Sequence, residues 1–243
     1  MGPAVKKDLS QILQHPTEHG PEWALTVWVN DDNLTYLAMN TKSHEAIWVD
    51  PVYEDFEQYA KECSKLNQCR FIGVIDTHTH ADHLSCATKL ATHLKTPLIM
   101  HHHAPATGVS LRVSTDTSLS TASGPLKLLL TPGHTWDGIT LIWGPYIFTG
   151  DTILYGDVGR DDLPTGNPKE HYDSLVKIKS IAEPNQIFLP GHDLKGGRAS
   201  SWAHQLLNNT SLTQSELDFI REATEFSAPA PRLLKESLFF NFK

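Results

Sequence analysis

Cysteine is scarce: the sequence holds three, Cys63, Cys69 and Cys86. Their number and spacing fit neither a disulfide framework nor a CxxC metal knuckle. No run reaches the ~18 apolar residues that a membrane-spanning helix needs. The opening MGPAVKKDLSQILQHP lacks an apolar signal core, so the expected location is a reducing compartment, the cytoplasm. Positive charge is also short. Twenty Lys and Arg against 28 Asp and Glu leave a formal charge of −8, which disfavours nucleic-acid and membrane surfaces as partners. There is no fixed-period repeat and no linker-like internal segment. What is present is a chain of 243 residues, 40% hydrophobic, long enough to bury its own core. Histidine is abundant, at 14 residues, and unevenly spread.

The pattern predicts one α/β domain over 1–243, with a lead-in at 1–22 and a helical end at 199–243. ALTVWV (24–29), LTYLAM (34–39) and EAIWVD (45–50) read as an antiparallel meander with turns at Asp31–Asn33 and Thr41–His44. Apolar residues at spacings of three and four from Phe56 to Leu66 give a helix over 52–66. A strand at 71–75, a helix at 84–94 and a strand at 97–100 follow. The 104–124 segment reads as loop with one edge strand at 110–113. Strands are expected at 126–130, 139–143, 146–148 and 186–189. Pro168 opens a helix through Ile181. Helices at 199–208 and 214–224 follow, the second with a Thr213/Glu216 capping box. The tail from Ser227, with Pro229 and Pro231, reads as coil. Two sheets with helices outside are the expected architecture.

His78, His80, Asp82 and His83 lie within six residues, between a strand and a helix. His134 in TPGHT, Asp151 in FTGD and His192 in LPGH each come one to four residues past a buried run, beside a glycine. Strand ends on one sheet edge can converge on a site. These seven nitrogen and oxygen donors suit Zn²⁺, Fe²⁺ or Mn²⁺, bound singly or as a pair. Asp76 fits a carboxylate that orients a ligand imidazole or caps the turn. The run His101–His103 is set apart, because adjacent side chains cannot all face one centre. Cys86, on the inward face of a helix, is expected to be a buried thiol.

THTHADH (77–83), TPGHT (131–135), FTGD (148–151) and PGHD (190–193) resemble the metallo-β-lactamase fold superfamily, from about residue 24 to 224. The resemblance implies an αβ/βα sandwich of two mixed sheets with outer helices and a metal site at the sheet edges. VDPV (49–52), GDTILYGDVGRDDL (150–163), HDLKGGRASS (192–201) and LLNNTSLTQSELDFI (206–220) look most like the persulfide dioxygenase branch. That branch implies one Fe²⁺ held by His78, His134 and Asp151, with His80, Asp82, His83 and His192 around it. Its substrates would be a small thiol persulfide, such as glutathione persulfide, and O₂; its products, sulfite and thiol. Arg160 would meet the anionic end of the thiol. The related glyoxalase II-like hydrolases imply two Zn²⁺ and a thioester, with Asp82, His83 and His192 as second-site ligands. Three departures from the dioxygenase pattern stand out: Trp136-Asp137, Asp161-Asp162-Leu163, and Leu194 in place of a glutathione-contacting tyrosine. They fall at the thiol end, not at the metal ligands. A homodimer through the 104–124 segment and the tail is a further expectation.

Overall fold

In a computed structural model, the structure describes residues 5–8, 22–193 and 200–242. Most of the expected lead-in, and Leu194, lie outside the described residues. Two sheets face each other. The first has seven strands in the order β1 (Val5–Asp8), β2 (Trp23–Asn30), β3 (Asn33–Asn40), β4 (Glu45–Val49), β5 (Arg70–Ile75), β6 (Leu98–His101) and β7 (Leu111–Val113). The second has six, in the order β13 (Ser200–Ser201), β12 (Ile187–Pro190), β11 (Tyr146–Gly150), β10 (Ile139–Trp143), β9 (Gly124–Leu130) and β8 (Thr117–Thr121).

Both faces of each sheet are covered. Leu25, Tyr36, Ile47 and Ile75 pack with Leu128, Leu141, Trp143 and Phe148 between the sheets. On the other face of the first sheet, Trp28, Trp48 and Val74 meet Tyr59 of α1 (Phe56–Lys65) and Leu90 of α2 (Ala87–Leu94). On the other face of the second, Ile142, Ile147 and Phe188 meet Leu175 of α3 (Pro168–Ile181), Trp202 of α4 (Trp202–Asn208) and Phe219 of α5 (Glu216–Glu225). A strand buried on both sides needs no polar alternation, which is why β4, β10 and β11 read as continuous apolar runs.

The strand pairing sets up the site. β4, β5 and β6 are parallel, with α1 and α2 as crossovers, and β11 runs parallel to β12 across α3. Parallel strands end on the same edge, so the residues leaving β5, β11 and β12 emerge together. The sheets are tied there: Ile139 N–H donates to Thr77 O (2.7 Å), and the Tyr36 hydroxyl to Pro190 O (2.7 Å).

Four local readings are corrected. The helix predicted over 52–66 opens with a 3₁₀ turn, Tyr53–Asp55, and is α-helical only from Phe56. The 104–124 segment contains a second strand, β8, half exposed at the sheet edge. The cap of α5 is Ser215, whose Oγ accepts from Asp218 N–H (3.2 Å); Thr213 closes the preceding 3₁₀ turn, Thr210–Leu212, too early to reach that helix. The tail is not all coil: α6 (Leu234–Asn241) begins three residues after Pro231, where a proline no longer constrains the backbone. Among the described residues no helix is long and apolar enough to cross a membrane.

Candidate metal centre

His78, His80, Asp82 and His83 leave the end of β5 in an irregular segment before α2. His134 lies between β9 and β10, Asp151 directly follows β11, and His192 closely follows β12. Gly150 takes a φ of +51°, and a Cβ there would overlap the Thr77 hydroxyl. Gly133, at φ +135°, lies so close to the His171 backbone that no side chain fits. A glycine is required at both places.

The structure brings ligand atoms of His78, His134 and Asp151 within 4.8 Å of one another. His134 Nε2 lies 3.7 Å and His78 Nε2 4.0 Å from Asp151 Oδ2. The far side of each ring is tied. Thr77 donates its amide (2.7 Å) and its hydroxyl (2.9 Å) to Asp50, so its Oγ1 is left to accept from His78 Nδ1–H (3.0 Å). His134 Nδ1–H donates to the Arg160 carbonyl (2.5 Å). Each bond fixes a tautomer that leaves the Nε2 lone pair facing the cluster. Burial, reinforced by His80, holds His78 well below the ordinary imidazole range, and burial lowers His134 as well. Both are therefore neutral near pH 7, the form that ligates. Burial alone would raise Asp151, yet His192, His78 and His134 together hold it well below the usual carboxylate range.

His192 lies between two carboxylates. Its Nδ1–H donates to Asp151 Oδ1 (2.7 Å) and its Nε2–H to Asp82 Oδ2 (3.0 Å). Burial opposes its charge, but Asp151 and Asp82 outweigh that and raise His192 well above its ordinary value. Asp82 Oδ2 also accepts from His83 Nδ1–H (3.0 Å). His80, Asp82 and His83 form a second group of close ligand atoms, and Asp50, Asp76 and His80 a third. Both ring nitrogens of buried His80 and Nε2 of buried His83 lack a hydrogen-bond partner. His80 Nε2 lies 3.3 Å from Asp50 Oδ1. Burial lowers His80 and Asp50 raises it, with a net value of about 9. Asp76 Oδ2 accepts from Ser85 Oγ–H (2.7 Å), and burial pushes Asp76 up to about 7. Orphaned imidazole nitrogens beside convergent carboxylates fit a divalent cation and nothing apolar.

The remaining candidates lie apart from the cluster. Arg160 turns its guanidinium away: Nε and Nη2 grip Asp162 (2.6 and 2.7 Å), and further donors reach Pro229 O and Ala228 O (2.7 and 3.0 Å). It meets the site through its backbone carbonyl. Asp161 pairs with buried His171 (3.2 Å). The rings of His101, His102 and His103 lie against one another, with centroids 3.9–5.0 Å apart. The Cys86 thiol is buried against Val52 O and pushed up by burial, so it is inert.

Three residues escaped the sequence reading as site residues. Asp50, which holds Thr77, has a φ of +50°, a conformation that Asp tolerates better than most side chains. Asp137, noted only as a departure, accepts the Thr79 amide (3.0 Å) and hydroxyl (2.5 Å) between the two histidines of HTH. Asn241 bonds the same segment from α6. Their signals are single polar residues, which local patterning does not mark.

No protein-family model matches the chain. It is 30% identical, over an alignment of 254 residues, to the β-lactamase hydrolase-like protein of Agrobacterium fabrum. That alignment covers 87% of this chain and 58% of the relative, so the chain spans less than two thirds of that protein's length. It is 26% identical over 201 residues to the mitochondrial persulfide dioxygenase ETHE1 of Homo sapiens, covering 82% of this chain and 79% of the relative. The crystal structure of ETHE1 from Myxococcus xanthus matches with a TM-score of 0.80 at 28% identity, over 87% of this chain and 94% of that one. With two mixed sheets flanked by helices, and histidine and aspartate side chains gathered at their common edge, the chain belongs to the metallo-β-lactamase fold superfamily.

Proposed function

We propose that the chain is an iron-dependent persulfide dioxygenase, converting a low-molecular-weight thiol persulfide and O₂ to sulfite and thiol. The observation that carries this reading is His192. Both of its ring nitrogens are taken, by Asp151 and Asp82. It therefore holds one Asp151 oxygen and leaves the other to join His78 and His134. Two neutral imidazoles and one carboxylate are the donor set of mononuclear iron oxygenases. Bound there, Fe²⁺ would supply the redox chemistry that Zn²⁺ lacks.

The chain's own work is positioning. Asp50 and Thr77 orient His78, and the Arg160 carbonyl holds the Nδ1 proton of His134. Burial of the three ligands limits water around the reacting sulfur. Arg160 can meet the anionic end of the thiol only by exchanging Asp162 for it. Three free cysteines suit a reducing compartment, and we place the protein in the cytoplasm.

The alternative is a dinuclear zinc thioester hydrolase. It is favoured by the unpartnered nitrogens of His80 and His83, which could serve a second ion with Asp82. Reconstitution of metal-free protein under anaerobic conditions separates the two. With Fe²⁺, glutathione persulfide should drive O₂ uptake and sulfite release, and with Zn²⁺ neither should occur. Two tightly held Zn²⁺ per chain with rapid thioester hydrolysis, and no O₂ uptake with Fe²⁺, would overturn the dioxygenase reading.

A further inference from the structure

We propose that Asn241, on the last turn of α6, is a positioning residue for the metal-binding segment 78–83. Its amide spends all three hydrogen bonds on that segment and its exit. Nδ2 donates to the backbone carbonyls of His80 (2.9 Å) and His83 (3.0 Å), and Oδ1 accepts from the Ser85 amide (2.9 Å). A carboxamide has this combination of donors and acceptor; a carboxylate or an alkyl group does not. The segment forms neither helix nor strand, so its backbone groups have no ladder to satisfy them.

Packing does little of this work. A cavity of about 390 Å³ lies beside the segment, lined among others by Asp76, His80, Tyr53, Lys89, Phe240 and Asn241. Part of the space between helix and loop is therefore cavity and not packed side chains. The helix's ring contact in this region, Phe240 against Tyr53 with centroids 4.9 Å apart, reaches the turn before α1 and not the ligands. From α6, Asn241 hydrogen-bonds the ligand-bearing backbone directly. Fixing the carbonyls of His80 and His83 fixes the His80–Ala81 and His83–Leu84 peptides, which bracket Asp82. Asp82 Oδ2 in turn holds His83 and His192, and His192 holds Asp151. One side chain from the last helix thus steadies a hydrogen-bonded chain that ends on a metal ligand. The proposal concerns the segment whichever metal occupies it, and does not rest on the iron reading.

The test uses full-length, metal-free protein and Zn²⁺ in competition with a chromophoric chelator, together with amide hydrogen exchange at Ser85. Asn241→Ala should weaken Zn²⁺ binding about tenfold to hundredfold, the range found when partners of metal ligands are removed. It should also speed exchange at Ser85. Phe240→Ala loosens the same helix but leaves the three hydrogen bonds, and should change both readings far less. Unchanged affinity in Asn241→Ala, or equal losses in the two variants, overturns the proposal, because Asn241 would then only dock the helix. Should Asn241→Ala not yield folded protein, Asn241→Asp is read against Phe240→Ala in the same way: it keeps the acceptor for Ser85 and loses both donors.

Discussion

Replacement of Asp137 by alanine tests whether the two ligand-bearing loops are held to each other by a side chain. Asp137 lies three residues past His134, and its Oδ2 accepts both the amide and the hydroxyl of Thr79, midway between His78 and His80. Hydrogen bonds to a charged group contribute about 1.5–3 kcal/mol each. Two of them set an upper range of about 3–6 kcal/mol. Asp137 is fully buried and its Oδ1 has no partner, so burial of the charge cancels part of this. In the alanine variant the Thr79 amide and hydroxyl are left buried and unpaired, at about 1–3 kcal/mol each. The expected loss is about 3 kcal/mol for Asp137→Ala, and about 1 kcal/mol for Asp137→Asn, which keeps an acceptor. Urea denaturation of metal-free protein measures both, provided the slope with denaturant is unchanged. A loss under 1 kcal/mol in Asp137→Ala, or a larger loss in Asp137→Asn, would refute the reasoning.

Two further outcomes follow from the same geometry. Gly150→Ala forces a side chain into the left-handed region and onto Thr77 Oγ1. It should cost at least about 2 kcal/mol by urea denaturation and weaken metal binding through His78; a variant as stable as the wild type would show that the turn relaxes. His80 has its folded value raised to about 9, chiefly by Asp50 against the opposing effect of burial. Its charge therefore stabilises metal-free protein below about 6.5, and that contribution is lost as pH rises to about 9. Metal-free protein should be less stable at pH 9 than at pH 6.5, and His80→Gln should flatten the difference; equal or greater wild-type stability at pH 9 would rule this out.

The sequence made the central strands legible because their signals are local. β2 and β3 are short branched and aromatic runs bounded by Asp31–Asn33, and α3 has Pro168 at its first turn behind an Asn167 cap. β8 was hidden because TSLST has no strong apolar alternation; as an edge strand, it pairs only with β9. α6 was hidden because Pro229 and Pro231 precede it and its apolar residues do not fall on one face, leaving Phe239 and Phe242 exposed. At the site, ligand types beside strand-end glycines were readable from spacing. The partners that orient them were not. Asp50 lies 27 residues from Thr77, Asp137 58 from Thr79, and Asn241 161 from His80. Their roles are set by the meeting of the two sheets and the last helix, which no local pattern contains.

The distribution of unsatisfied groups marks this edge of the fold as a candidate binding site and not simply a core. Ten buried side-chain polar atoms lack hydrogen-bond partners among the described residues: on Asn33, Trp48, Asp76, His80 (two), His83, Thr135, Asp137, Trp202 and Ser237. Six of the ten, those of Asp76, His80, His83, Thr135 and Asp137, belong to the two loops that carry His78 and His134. Each such atom costs about 1–3 kcal/mol, so the cost is concentrated where the ligands converge. The other four, on Asn33, Trp48, Trp202 and Ser237, are scattered, and buried Glu45 is closely paired with Ser123 and Arg70. A fold selected for stability alone would fill this edge with apolar side chains, as it fills the space between the sheets with Ile47, Leu141 and Phe148. Retained here instead are imidazoles and carboxylates: Thr77 and the Arg160 carbonyl hold the rings of His78 and His134, while Asp137 and Asn241 hold the backbone of the loop that carries His78, His80 and His83. A cation bound to His80 and His83 would supply their missing partner, and any ion that binds only the folded chain stabilises it by mass action. Metal binding at this edge would therefore be coupled to folding.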